Sequence, residues 1–139
     1  MFFLIQRIIE LGKGYGDIYE LCEQARLNKD RIHRAFIFSS KKDGKEYHSI
    51  AIALKPTNAA NFFPIYMCGD GIPNVQPISK RLSHFIETLD ELQLKAVHLD
   101  IRHSSSFADS DLFYQYLIGI LRLNHFIPPL EINSYNPIL

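Results

Sequence analysis

Within nine residues, His98 to Ser106, the chain gathers two histidines, an aspartate, an arginine and three consecutive serines. Asp100 can orient an imidazole or hold a cation, His98 or His103 can carry a proton, and Arg102 can hold an anion. Ser104, Ser105 and Ser106 add hydroxyls and backbone N–H groups just ahead of a helix start. These residue types point to small-molecule or phosphoester chemistry, with Asp100, His98 and His103 as the catalytic candidates. Arg102, Ser104, Lys55 and Tyr66 are the binding candidates. A plainer reading stands beside it. Polar residues that alternate along a strand mark a solvated sheet face, and serines ahead of Asp109 and Ser110 are ordinary turn and cap residues.

Other clusters carry less. Gly12-Lys13-Gly14-Tyr15-Gly16 lies where phosphate loops lie, but it lacks the final Gly-Lys-Ser/Thr of a Walker loop. Asp17 stands where the third glycine of GxGxxG belongs, and its charge would repel a phosphate. A glycine turn feeding a capped helix explains the segment better. The six histidines show no HxH or HExxH spacing, so no metal site is expected. Cys22 falls on an apolar helix stripe; Cys68 ends a strand with no activating partner in view. From Arg26 to Lys45, seven basic residues face two acidic ones, a local field that suits a small anionic ligand or an acidic partner. Lysine-rich hairpin ends also protect sheet edges.

The elements that must position these residues follow from periodicity. Phe2 to Ile9 suits either a helix or a strand, and the glycines behind it favour the strand. Asp17 reads as an N-cap with Glu20 completing a capping box, and Ile18, Leu21, Cys22 and Ala25 form one helical face before Asn28. Ile32–Ser39 and Glu46–Leu54 flank Asp43-Gly44, a hairpin signature. On the second strand Ser49, Ala51 and Ala53 share a small-residue face that admits a close neighbour. Phe62–Cys68 reads as a third strand, placed at an edge by Pro64. Ser79 caps a helix with Leu82, Phe85, Ile86, Leu89 and Leu92 on its apolar side. Ala96–Arg102 is a strand with Val97, Leu99 and Ile101 facing inward. A last helix runs from Ser110 and Asp111 to about Asn124 and is apolar nearly all round. The loop-rich stretches are too short to be linkers. The order β-α-β-β-β-α-β-α makes residues 1–139 a single α/β domain, a central mixed sheet with flanking helices.

Composition bounds the function. The chain has 139 residues, 47% of them hydrophobic, and fifteen basic side chains balance fifteen acidic ones. That excludes disorder and argues against a general nucleic-acid coat. No apolar run reaches the ~20 residues of a membrane span. With no secretory leader pattern and two widely spaced cysteines, the expected place is the cytoplasm.

Two resemblances add to this. The order helix, three strands, helix, strand resembles the core of the restriction-endonuclease-like superfamily. That family's metal-binding acids are missing here, where the matching regions read Ala53-Leu54-Lys55-Pro56 and Ile65-Tyr66-Met67-Cys68. Through Ile9-Glu10-Leu11-Gly12-Lys13-Gly14-Tyr15, Leu54-Lys55-Pro56-Thr57 and the run Tyr114 to Phe126, the chain also resembles a family of small uncharacterised cytoplasmic proteins from Bacillus-type bacteria. Some members of that family are labelled methylthioribose kinase, a label this chain supports with no nucleotide loop and no kinase motif.

The expectation is a non-enzymatic α/β module acting through protein contacts or ligand binding, with no cofactor, and a homodimer built partly on the last helix. The alternative is a small-molecule or phosphoester-handling enzyme with a degenerate restriction-endonuclease-like fold, using His98, Asp100, Arg102 and His103.

Overall fold

A computed structural model describes residues 2–3, 5–11, 17–56, 61–69, 71–128 and 131–132. Two short strands, β1 (Phe2–Phe3) and β8 (Glu131–Ile132), pair with each other. The main sheet holds β2 (Ile5–Glu10), β3 (Ile32–Lys42), β4 (Lys45–Leu54), β5 (Phe62–Met67) and β7 (Ala96–Asp100) in the order β2-β5-β4-β3-β7. A sixth short strand, β6 (Ile72–Pro73), pairs with β4. β2 and β5 are parallel, as are β3 and β7; β4 runs against both of its long neighbours. The carboxyl ends of β2, β5, β3 and β7 therefore share one edge of the sheet. The fold is the expected α/β arrangement with a mixed sheet.

Local sequence explains the elements. At the β3–β4 turn, Asp43 and Gly44 both take positive φ, 52° and 79°, the conformation a two-residue hairpin needs. β3 and β4 then alternate in register. Ala35, Ile37, Ile50, Ile52 and Leu54 face one way, into a core shared with α1 (Asp17–Leu27) and α2 (Lys80–Glu91). Phe36, Phe38, Ala51 and Ala53 face the other way, into a core shared with α3 (Ser110–Leu123). The small residues of β4 thus lie under α3, through Phe113, Leu117, Ile118 and Leu121. Ser79 caps α2 by accepting the Arg81 N–H at 3.2 Å. Asp109 caps α3 through the Leu112 N–H at 2.9 Å.

Three expectations need correction. β5 is an interior strand, flanked by β2 and β4. Its pairing with β4 covers only Ile65 to Met67 and starts one residue after Pro64, so the missing N–H interrupts no β4 pair. Asp17 is the first residue of α1 rather than its cap, and it is buried, its Oδ1 accepting from Arg81 Nη2 at 3.1 Å. Ile86 is exposed, and Thr88 takes the buried place on α2 instead. The glycine segment 12–16 lies outside the described residues.

Candidate functional site

A cleft of about 560 Å³ opens at the carboxyl edge of the sheet, on the face that α3 covers. Its origin lies in the small-residue stripe of β4. Ala53 and Ala51 are roofed by α3, but Ser49, next along the same face, lies where the cleft begins. Ser40 stands on the same face two residues beyond Phe38 and pairs in register with Tyr47. Met67, Cys68 and Gly71 line it from β5 and the loop beyond, while His103, Ser104, Ser105, Phe107 and Asp109 line it from the segment between β7 and α3. Ligands in open α/β sheets collect at this kind of edge, beyond the carboxyl ends of parallel strands.

The most informative group in it is Ser40. The residue is only 7% exposed, yet among the described residues its hydroxyl makes no hydrogen bond, and it opens onto the cleft. The hydroxyl is reached from the cleft, where it can bond water or a bound molecule.

His103, Cys68 and Tyr114 are each shifted towards the uncharged form. Burial, with a smaller contribution from Lys42, lowers the pKa of His103 below its usual 6.5. The ring's Nδ1 accepts the Ser105 N–H at 3.1 Å, which leaves the proton on Nε2 as a donor. Burial raises the Cys68 thiol well above its ordinary pKa, with the Asp17 carboxylate adding to it. Burial and the hydrogen bond to Glu10 raise the Tyr114 phenol in the same direction. Neither is an activated nucleophile near neutral pH. The site can hold and orient a molecule through hydroxyls and aromatic rings.

The residues singled out by sequence part company here. His103 and Ser104 line the cleft. Asp100 and Arg102 line a neighbouring hollow of about 470 Å³ that shares Ser40 and His103 with it. Among the described residues no hydrogen bond or ion pair joins Asp100 to His98, Arg102 or His103. His98 is exposed on the edge strand and lines neither cavity. Lys55 lies past the carboxyl end of β4, away from this edge, where its N–H donates to Arg31 O at 2.7 Å. Tyr66 packs into the α1/α2 core, on the other face of the sheet. Sequence reasoning missed Ser40, Tyr47, Ser49, Glu10 and Tyr114. The run Phe36, Phe38, Ser40 held a signal, a hydroxyl continuing a buried apolar face. Among the described residues no group of three or more His, Cys, Asp or Glu is placed to hold a metal ion. No described helix is long and apolar enough to cross a membrane.

Comparison with curated proteins gave no match, and comparison with solved structures gave none. A family model described as a domain of unknown function, DUF7147, matches residues 4–127, and the chain belongs to that family.

Proposed function

We propose that the protein is a ligand-binding module that takes a small molecule in the cleft at the carboxyl edge of its sheet. The observation that carries this is the Ser40 hydroxyl, which faces the cleft with no hydrogen-bond partner among the described residues. A volume of about 560 Å³ suits a small organic molecule. With the Cys68 thiol and the Tyr114 phenol held protonated, neither is an activated nucleophile, which favours binding over nucleophilic catalysis. Phosphoester chemistry at Asp100, His98, Arg102 and His103 gains less support, because those side chains do not meet at one point. A degenerate restriction-endonuclease-like core rests on the order α1-β3-β4-β5-α2-β7 alone. The buried, unpaired Cys22 and Cys68 support a cytoplasmic place.

The test is a ligand-observed NMR screen of polar fragments against the protein and two blocked variants. Ser105→Trp adds bulk at the exposed rim, and Ser49→Phe fills the floor. Fragments that bind the parent and lose binding in both variants support the cleft. Equal binding in all three places the site elsewhere.

A second reading, a homodimer through α3, has its own observation. Leu112 and Leu123 are 47% and 80% exposed, three helical turns apart on one side. Between them a Cβ at Gly119 would meet nothing within 4 Å, so a second helix has room to approach. Sedimentation velocity with the Leu123→Glu variant tests it: a dimer that the variant dissociates supports it, and a monomer at tens of micromolar contradicts it.

A further inference from the structure

The main sheet ends at β7, and hydrogen bonds fix which way that strand turns its backbone. Ile101 donates its N–H to Ser39 O on β3 at 2.8 Å, whereas the next N–H, that of Arg102, is taken by the Tyr116 hydroxyl at 2.9 Å. In a parallel ladder alternate residues turn both backbone groups to the same neighbour. Val97, Leu99 and Ile101 therefore bond β3, and His98 and Asp100 turn N–H and C=O to the outer edge. Among the described residues no hydrogen bond reaches those outward groups. Such a row of donors and acceptors is a template for another strand.

The side chains alternate as well. Val97, Leu99 and Ile101 lie on the α3 face and are half-buried, while Phe36 and Phe38, beside Val97 and Leu99 on β3, are fully buried. His98 and Asp100 stand exposed on the opposite face.

We propose that a second copy of the chain covers this edge, its β7 antiparallel to the first and the pair centred on Leu99. Register selects the partner. Two-fold symmetry sets β7 against itself, and the outward-turned residues must face one another to bond. Centring on His98 sets two imidazoles together and leaves Asp100 opposite Ala96. Centring on Asp100 sets two carboxylates together and His98 opposite Arg102. Centring on Leu99 sets each His98 opposite the partner's Asp100, an imidazole donor beside a carboxylate, twice over. Backbone bonds then run between His98 and Asp100 of the two copies, and the ladder stops where Tyr116 holds the Arg102 N–H. On the α3 face this register sets Leu99 against its copy and Val97 against the partner's Ile101, covering the half-buried row. The interface uses no residue of the cleft and none of the exposed α3 stripe, so it goes beyond both readings above.

Sedimentation velocity of the full chain at tens of micromolar tests it, with His98→Asp, Asp100→His, the two combined, and Leu123→Glu. The parent should be dimeric. Each single exchange should raise the dissociation constant about tenfold or more, since symmetry repeats the mismatch. The combined exchange again sets an imidazole opposite a carboxylate and should return the constant to near the parent value. Both side chains are exposed, so the variants should fold, and Leu123→Glu should leave this dimer intact. Single exchanges that change nothing, or a combined variant no better than the singles, overturn the β7 pairing. A dimer lost only in Leu123→Glu overturns it and leaves the α3 interface standing. A monomeric parent contradicts both interfaces and leaves the small-molecule cleft untouched.

Discussion

The phenol of Tyr114 donates to Glu10 Oε1 at 2.6 Å, tying the start of α3 to the end of the edge strand β2 across 104 residues of chain. The bond closes one end of the cleft. It also makes the phenol harder to ionise, since the negative charge would form in a partly buried place beside a carboxylate. Below the ordinary phenol value of 10 the stabilisation is fully present; as pH rises above 10, the unfolded chain releases a proton that the folded chain retains, and stability falls. Tyr114→Phe should cost about 1 kcal/mol near neutral pH and flatten the loss of stability above pH 10. Urea unfolding at several alkaline pH values checks both.

The opposite behaviour is expected on the acid side. His33 donates from Nε2 to the Phe126 carbonyl at 3.1 Å. Burial lowers its pKa below 6.5, as it does for His103. Above 6.5 both rings are neutral folded or unfolded, so stability stands at its plateau. As pH falls through that value the unfolded chain takes up protons first, and stability declines. His33→Gln should reduce the slope of stability between about pH 6.5 and 5, read from thermal melts. An unchanged slope contradicts the assignment.

The Asp17–Arg81 pair joins α1 to α2 with the Asp17 side chain fully buried. Asp17→Asn removes the buried negative charge that faces a guanidinium itself only 12% exposed. The expected cost is about 3–5 kcal/mol in urea unfolding. A loss below ~1 kcal/mol would mean that the pair is solvated rather than buried.

Ala51→Leu tests the packing that creates the cleft. Phe113 and Leu117 of α3 share a core with this position, so three extra carbons must push the helix away or force strained rotamers. A destabilisation of about 1–3 kcal/mol is expected. A neutral outcome contradicts the close approach of α3.

These particulars show which features the sequence makes legible. Helix α2 and the β3–β4 hairpin follow from a cap at Ser79, a turn at Asp43-Gly44 and unbroken periodicity, all local signals. The interior place of β5 is not local: Pro64 marks an edge by itself, and only the registers with β2 and β4 show that it lies just outside one ladder. The cleft is less legible still. Ser40 and Ser49 look like the ends of alternating strands until the starting point of α3 decides which part of that face stays open. His103 and Ser104 were read from composition, and they lie where the chain leaves β7 for α3, at the same edge. Lys55 and Tyr66 carry suitable chemistry, but strand direction places one beyond the far end of the sheet and strand parity places the other on the opposite face.

The most direct measurement is amide-resolved NMR of the labelled protein during titration with a fragment that binds it, run in parallel on Ser40→Ala. The account predicts shifts concentrated at Ser40, Tyr47, Ser49, Gly71 and His103, with affinity in the variant reduced about fivefold or more for the lost hydroxyl contact. Shifts centred on another surface, or an affinity that Ser40→Ala leaves unchanged, would contradict it.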